Sequence, residues 1–364
     1  MKGLTILLLM FCFFPLPAHA EVEAVFTLMD ARGEALTVIN HTPSVGDEYI
    51  ASDNQHYRVT RVNENAQTAE TEHIGAYAMP DVSWLDDTKA LEVVSTWGDK
   101  RIAMYCTHSD ESYVPTDGTE SKIKNAGIYD VAEELAKNLS AKGVDAVVDT
   151  TSHNPHDAGA YRRSRQTAVK LLKKAPDAIF DIHRDGIPDP DQYKLSMGGE
   201  ELSKIRLLVG RGNQNAAANK AFALQLKAVA DKVYPGLIKD IYLGRGVYNQ
   251  DLYPRSVLLE MGTHTVSKER VLKAAEPMAD VIYRTLYGGL TGSAGTSDVN
   301  MSSAPMEESN QGMGSGMTLL AFGVIILGGL MALASAGSVK GAGEKIKRTA
   351  SEITGGLIGK KPEK

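Results

Sequence analysis

Cysteine is scarce in this sequence, which contains two in 364 residues, Cys12 and Cys106. Cys12 lies in an N-terminal segment that we expect to be removed, which leaves one thiol. A single cysteine cannot form an internal disulfide, so the folded protein must gain its stability from a hydrophobic core. We interpret Cys106, which ends a strand-like run, as a buried residue that behaves as a small hydrophobe.

A basic excess is also missing, since 39 Lys and Arg residues stand against 45 Asp and Glu residues, a formal net charge of -6. The chain has no surplus of cations to neutralise phosphates, which argues against nucleic acid as a partner. Hydrophobic content of 43% and charged content of 23% are close to globular averages, so we expect most of the chain to fold. Its length predicts two folded units with attached segments.

The N-terminal residues 1–20 combine a charged start, a short apolar run and the small-residue site Ala18-His19-Ala20. This pattern is typical of a signal peptide, and cleavage after Ala20 is the preferred interpretation. The apolar run is short for a membrane span, which needs about 20 residues. An uncleaved anchor is the alternative.

Charged residues are missing near the other end, between Glu308 and Lys340. The apolar run 317–336 within that stretch is long enough to span a membrane. A Gly/Ser-rich flexible linker, 291–316, precedes it, and a basic tail, 337–364, follows it. The sequence therefore predicts an extracytoplasmic protein, in the periplasm or on the outer face, anchored in the cytoplasmic membrane by a C-terminal transmembrane helix whose tail stays inside.

The middle of the chain has two patterns. Residues 21–74 contain short alternating runs between turn residues and predict a small β-rich domain, followed by a linker at 75–100. From 101 to 290, strand-like and helix-like runs alternate, which is typical of an α/β domain with a mostly parallel sheet flanked by helices. The predicted strands are 101–106, 145–148, 178–182, 205–209 and 256–259, and the predicted helices are 127–142, 161–175, 216–233 and 267–287.

Residues of metal-binding type follow two of the predicted strands. His108 and Glu111 form an H-x-x-E pair after strand 101–106, and His183 follows strand 178–182. Because open α/β sheets bind ligands at the carboxyl ends of their strands, we expect these side chains to lie together. Two histidines and a carboxylate form catalytic zinc sites that keep one position open for water.

A further carboxylate, Glu260, ends strand 256–259 at the same predicted edge. A carboxylate beside a zinc site is the expected general base and later general acid, because zinc lowers the pKa of water to about 7. An H-x-x-E pair often occurs by chance, and a single histidine after a strand is usually a hydrogen-bonded loop residue. Taken together, however, the four residues predict a zinc hydrolase.

Seven short segments carry a resemblance to a known family. They are YCTHSDESY at 105–113, DTTSH at 149–153, GAYRRSR at 159–165, DIHRDG at 181–186, YPGL at 234–237, YNQDL at 248–252 and LLEMG at 258–262. In this order they resemble the stage II sporulation protein P family, over residues 101–290. The set is specific although no single segment is.

The resemblance implies a zinc N-acetylmuramoyl-L-alanine amidase with a fold similar to that of other cell-wall amidases. Such an enzyme strips stem peptides from the glycan strands of peptidoglycan, and cleavage between stem peptides is a further expected activity. Peptidoglycan, the membrane and other wall-remodelling enzymes are the implied partners, and Zn²⁺ is the implied cofactor.

The resemblance also implies roles for individual residues. His108 and His183 match the metal histidines of the family, and Glu260 matches its catalytic glutamate. Glu111 is the favoured third zinc ligand because H-x-x-E spacing lets both side chains converge from one turn, and His153 is the competitor.

Three further residues are weighed for contacts with substrate. Arg184 is included as a catalytic residue that steadies a carbonyl or a substrate carboxylate, against the alternative of a plain ion pair. Asn249 and Gln250 either contact peptide amides or form an ordinary turn.

The chain departs from the family at its signal-like start, its C-terminal span and a missing histidine two residues before His108. The biological setting, sporulation or another remodelling of the envelope, therefore stays open. Two other functions also fit. A zinc carboxypeptidase would use Arg184 or Arg211 to fix a terminal carboxylate, and a non-catalytic wall-binding membrane protein would not need Glu260.

Overall fold

The computed structural model of the protein describes residues 24–86, 100–157 and 159–288. The strands are β1 (Phe26–Met29), β2 (Ala35–Ile39), β3 (Glu48–Ile50), β4 (Gln55–Asn63), β5 (Thr68–Ala76), β6 (Arg101–Tyr105), β7 (Asp145–Asp149), β8 (Ala178–Asp185), β9 (Lys194–Met197), β10 (Glu200–Ser203), β11 (Ile205–Gly210), β12 (Ile238–Gly244) and β13 (Ser256–Thr263). The helices are α1 (Val114–Asp117), α2 (Gly127–Ser140), α3 (Ala160–Leu172), α4 (Ala216–Val233) and α5 (Lys268–Tyr287).

One sheet of 11 strands runs through this part of the chain, in the order β2-β1-β5-β4-β3-β12-β11-β13-β8-β6-β7. Its pairings divide evenly between parallel and antiparallel. The run β13-β8-β6-β7 is wholly parallel, so these strands end at the same edge. The remaining strands, β9 and β10, form a separate antiparallel hairpin.

Helices cover both faces of the parallel part, because its strands alternate between two apolar clusters. Ile102 and Met104 of β6 pack in the large cluster with α2, α4 and α5, whereas Ala103 and Tyr105 pack with α3 on the other face. The helices bury an apolar stripe against the sheet; in α2, for example, Leu135 is fully buried. Both faces of the strands are therefore apolar, as expected for a buried parallel sheet.

The first five strands join the sheet through the antiparallel pairing of β3 with β12, in which Tyr49 lies opposite Tyr242. A carboxylate strengthens this junction. Asp47 accepts hydrogen bonds from the Tyr242 hydroxyl at 2.8 Å and from Arg211 Nε at 2.9 Å. The junction therefore combines backbone pairing with a buried polar contact.

A buried charge network lies beside that junction. Arg206 on β11 donates to Asp240 at 2.6 Å, to Asp185 at 3.0 Å and to Thr37 Oγ1 of β2 at 2.9 Å. Lys239 Nζ donates to Asp240 at 2.7 Å. Burial alone would raise the pKa of Asp240, but Arg206 and Lys239 hold it below its ordinary value. The network connects the first strands to the strand that carries Asp185.

The predicted fold class is wrong on two points. The sheet is mixed rather than mostly parallel, and the strands predicted as a small β-rich domain continue the same sheet. In the described part of the chain, moreover, no helix has the length and apolar character needed to cross a membrane. This finding corrects the predicted membrane-anchored fold and the location inferred from it.

Several predicted segments lie outside the described residues. They are the signal peptide at 1–20, residues 87–99 of the predicted linker 75–100, the flexible linker 291–316, the apolar run 317–336 and the tail 337–364. The domain boundaries stay a prediction. The predicted helix 216–233 coincides with α4, and the other predicted helices and strands of the α/β region match observed elements to within a few residues.

Candidate metal centre

The residues predicted to bind metal meet at the carboxyl edge of the parallel strands. His108 and Glu111 lie in the loop after β6, and His183 lies near the end of β8. Glu111 Oε1 is 3.3 Å from Nδ1 of both His108 and His183. One ligand atom from each residue lies within 4.8 Å of the other two, and no other such group of His, Cys, Asp and Glu occurs in the described residues.

This cluster fits a tetrahedral metal ion. In a tetrahedral zinc site with the usual ligand distances of 2.0–2.1 Å, any two ligand atoms lie roughly 3.3 Å apart. That is the separation between Glu111 Oε1 and each imidazole. The other Glu111 oxygen accepts a hydrogen bond from the Arg184 backbone N–H at 2.9 Å, which fixes the carboxylate. We conclude that His108, Glu111 and His183 could hold a metal ion.

The electrostatics of the cluster favour a cation. Burial alone would lower the pKa of His183, but Asp181 and Glu111 raise it well above its ordinary value. Burial would likewise raise the pKa of Glu111. The His183 charge and the hydrogen bonds of both histidines instead bring this pKa well below its ordinary value. Burial lowers the pKa of His108, which favours the neutral imidazole that binds metal.

Asp181 lies behind His183 and is a residue that the sequence analysis missed. Its Oδ1 is 3.1 Å from His183 Nε2, and Thr107 holds the carboxylate through its backbone N–H at 2.8 Å and its hydroxyl at 2.6 Å. A carboxylate behind a metal histidine orients the ring and raises its basicity. Strand alternation was the available signal, because Asp181 and His183 are two residues apart on β8 and share a face.

Glu260 lies beside the cluster on β13, directly opposite His183 on β8. Burial and the nearby Asp185 raise the pKa of Glu260 well above its ordinary value, against an opposing effect of His183. Its Oε2 is buried and has no hydrogen-bond partner among the described residues. An unpaired buried carboxylate with a raised pKa is suited to take up and release protons.

His153, the alternative third ligand, lies outside the cluster. Its Nδ1 is 2.8 Å from the Cys106 carbonyl and its Nε2 is 2.8 Å from Thr167 Oγ1. Both ring nitrogens therefore have partners within the protein. Cys106 itself is free and fully buried, as the sequence predicts.

Arg184 directs its guanidinium toward backbone carbonyls rather than toward an aspartate. It donates to Ser112 O at 3.4 Å, Asp185 O at 3.5 Å and Glu120 O at 3.0 Å. These contacts use three of its five N–H groups. Among the described residues, the Arg184 guanidinium thus makes hydrogen bonds to the main chain rather than the plain ion pair weighed for it.

Asn249 and Gln250 brace the loop between β12 and β13. Asn249 Nδ2 donates to the Tyr161 carbonyl and to Ser164 Oγ, both at 3.0 Å. Gln250 Nε2 donates to Leu208 O at 2.9 Å, and its Oε1 accepts from Gly210 N at 2.8 Å. Both residues are buried. Their amide groups bind the protein's own chain, in agreement with the structural alternative.

His156 is a second residue that the sequence analysis missed. Its ring stacks on His108 with centroids 3.9 Å apart, and its Nδ1 is 3.1 Å from Asp110 Oδ1. The Ser121 hydroxyl donates to the other Asp110 oxygen at 2.5 Å. No sequence spacing links His156 to His108, since the contact depends on how the loop after β7 folds back.

Comparison with known proteins finds a relative that is similar in sequence and solved structures that are similar in fold. The chain is 31% identical over 206 residues to stage II sporulation protein P of Bacillus subtilis (strain 168), a match that covers 51% of each protein. The chain thus spans about half the length of this curated relative.

Similar solved structures include the N-acetylmuramoyl-L-alanine amidases AmiC2 of Nostoc punctiforme and Ami1 of Mycobacterium abscessus. The first is 14% identical with a TM-score of 0.33 and covers 52% of this chain and 96% of its own. The second is 15% identical with a TM-score of 0.35 and covers 54% of this chain and 100% of its own.

The family model for stage II sporulation protein P matches residues 29–283, which is more than half of the chain. The match begins at the last residue of β1 and ends in α5, so it includes strands β2 to β5 as well as the candidate metal centre. The chain therefore belongs to the stage II sporulation protein P family.

Proposed function

We propose that this protein is a zinc-dependent peptidoglycan hydrolase that cleaves the amide bond between N-acetylmuramic acid and the L-alanine of the stem peptide. The observation that carries the proposal is the meeting of His108, Glu111 and His183 beside Glu260, whose buried Oε2 has no hydrogen-bond partner in the described part of the chain. Family membership supports it independently.

In this proposal His108, Glu111 and His183 hold the zinc ion. When bound there, zinc would supply Lewis-acid chemistry. It would polarise a carbonyl oxygen and lower the pKa of water, so that water loses a proton more easily as it attacks near neutral pH. Asp181 keeps the His183 ring in its orientation. The buried edge of the sheet limits access of bulk water and strengthens these electrostatic effects.

Glu260 moves the proton in the proposed reaction. Its carboxylate takes a proton from the attacking water as oxygen bonds to the carbonyl carbon, and it gives that proton to the amide nitrogen as the C–N bond breaks. The products are a carboxylate on the sugar side and a free α-amino group on L-alanine. We propose that Arg184, through its remaining N–H groups, steadies a substrate carbonyl or carboxylate.

The test is product analysis with the full-length purified protein and purified peptidoglycan. We expect mass spectrometry to find glycan strands without peptides and free stem peptides with an unblocked L-alanine. The Glu260→Gln protein, our control, should release about 10²–10⁴-fold less per unit time. Release of single C-terminal amino acids would instead support the carboxypeptidase alternative, and no release by the unaltered protein would contradict the proposal.

A further inference from the structure

The loop between β12 and β13 holds two consecutive non-glycine residues in the left-handed region, Tyr248 with φ 50° and Asn249 with φ 56°. Such backbone is uncommon for residues that carry a Cβ, although asparagine tolerates it better than tyrosine, and it persists where surrounding contacts enforce it. The hydrogen bonds of the Asn249 and Gln250 side chains supply that enforcement. Strained residues concentrate at functional sites, which directs attention to what this loop presents.

The Tyr248 ring of this loop packs against three glycines, Gly210, Gly244 and Gly246. A Cβ added to Gly246 would overlap the ring, and one added to Gly210 or Gly244 would lie 3.1 Å from its atoms. Side chains at these positions would displace the tyrosine. The glycines and the strained backbone therefore act together to fix one position for the Tyr248 ring.

Tyr248 and Tyr161 form an aromatic corner beside the candidate metal centre. Their ring centroids are 5.4 Å apart at an angle of 67°. The Tyr161 ring also lies nearly parallel to His183, at 6.3 Å and 14°, and edge-on to His108 at 5.5 Å. Both tyrosines are partly exposed, and the neighbouring Val247 is 41% exposed. An uncharged, partly open surface thus adjoins the metal-binding residues.

We infer that this aromatic corner binds the pyranose ring on the sugar side of the scissile amide, an inference that rests on the proposed function. The C–H face of a pyranose packs on an aromatic ring, and the tyrosine hydroxyls add a polar edge that suits an N-acetyl sugar. Stem peptides carry carboxylates, which suit Arg184 instead. Arg184 follows His183 in β8, so its side chain leaves the strand on the other face from the ring that stacks on Tyr161.

The corner thereby favours binding of a peptide attached to a sugar over binding of the same peptide without one. The test measures binding in the full-length, zinc-loaded Glu260→Gln protein, so that ligands stay intact. Isothermal titration calorimetry compares a disaccharide-peptide fragment of peptidoglycan with the same peptide lacking the sugars. Tyr248→Asn removes the ring while keeping a residue that tolerates left-handed backbone.

We expect Tyr248→Asn to weaken binding of the disaccharide-peptide about tenfold and to leave binding of the bare peptide unchanged. Tyr57→Asn on β4, where the ring packs against Tyr49, is the matched control and should change neither. Equal weakening for both ligands, or none for the disaccharide-peptide, would overturn the inference. If the unaltered protein cleaves no peptidoglycan but sugar-dependent binding is lost as expected, the proposed function fails and the sugar site stands.

Discussion

Glu111 and Glu260 are two buried carboxylates at one site with opposite electrostatics. The histidine contacts of Glu111 bring its pKa well below the ordinary value of a glutamate. Burial and Asp185 instead keep the pKa of Glu260 well above that value. Divergent pKa values of neighbouring acids indicate different roles. The charged carboxylate suits a cation, and the proton-accepting one suits catalysis.

We therefore predict that Glu111→Gln and Glu260→Gln separate metal binding from catalysis. Glu111→Gln should lose zinc and activity together, because an amide oxygen is a poor zinc ligand. Glu260→Gln should keep its zinc and lose only rate. Metal analysis of the purified, folded proteins measures both, with His153→Gln as a control that should keep zinc. Loss of zinc from Glu260→Gln and retention in Glu111→Gln would exchange the two assignments.

At the scale of single elements, the end of β13 contains a bulge directly after Glu260. Glu260 lies opposite His183 and Thr263 lies opposite Asp185, so β13 has one more residue than β8 over this interval. Gly262, with φ 75°, takes up the difference. Bulges next to active sites re-aim side chains. This one ends the regular pairing at the position that the proposed mechanism uses.

Gly262→Ala should therefore destabilise the protein more than its backbone angle alone explains. The added Cβ would lie 2.8 Å from both Ser203 Oγ and Val271 Cγ2, whereas at Gly143, with φ 79°, it would have no described atom within 4 Å. We expect a loss of about 2–5 kcal/mol in the free energy of unfolding for Gly262→Ala and of about 1 kcal/mol for Gly143→Ala. Urea titration measures both, and equal losses would contradict the packing argument.

The elements also show what sequence patterns can predict. The helices were predictable because their apolar stripes face the sheet, and strands β6, β8 and β13 were predictable from their apolar runs. Strand β12 was missed because Lys239 and Asp240 interrupt its apolar pattern, although both are buried. Their burial depends on Arg206, which is distant in the sequence.

The candidate site was predictable for a related reason. His108, His183 and Glu260 are tied to predicted strand ends, and the carboxyl edge of a parallel sheet brings such residues together. Contacts made by loops that fold back, such as that of His156 with His108, have no periodic signal. Strand direction has none either, and so the antiparallel pairing of β11 with β13 was not foreseen.

At the scale of the whole molecule, Arg206 connects the first strands to β8, the strand that carries His183 and Asp185. Arg206→Met should leave Asp185 buried without its cation and Asp240 with Lys239 alone. Removing one partner of a buried ion pair costs about 3–5 kcal/mol, whereas an exposed pair contributes less than about 1 kcal/mol. Arg58→Met, which removes the exposed pair with Glu72, is the matched control. Urea titration of both variants measures the difference.

A similar loss of stability in the two variants would show that the network contributes no more than a surface pair. If only Arg206→Met is destabilised, its activity at low temperature, where it is still folded, separates two effects. A reduced rate in the folded variant would mean that the network also positions Asp185 near Glu260. An unchanged rate would limit the network to stability.

The order of strands in the sheet has a consequence for the time course of synthesis. Strand β3 is made early, but its neighbour β12 is made late, and a ribosome that adds roughly 5–20 residues per second separates them by roughly 10–40 s. During that interval β3 exposes an unpaired edge that invites association with other chains. Glu260 is made later still. A nascent chain therefore carries His108 and His183 well before Glu260, the proposed general base.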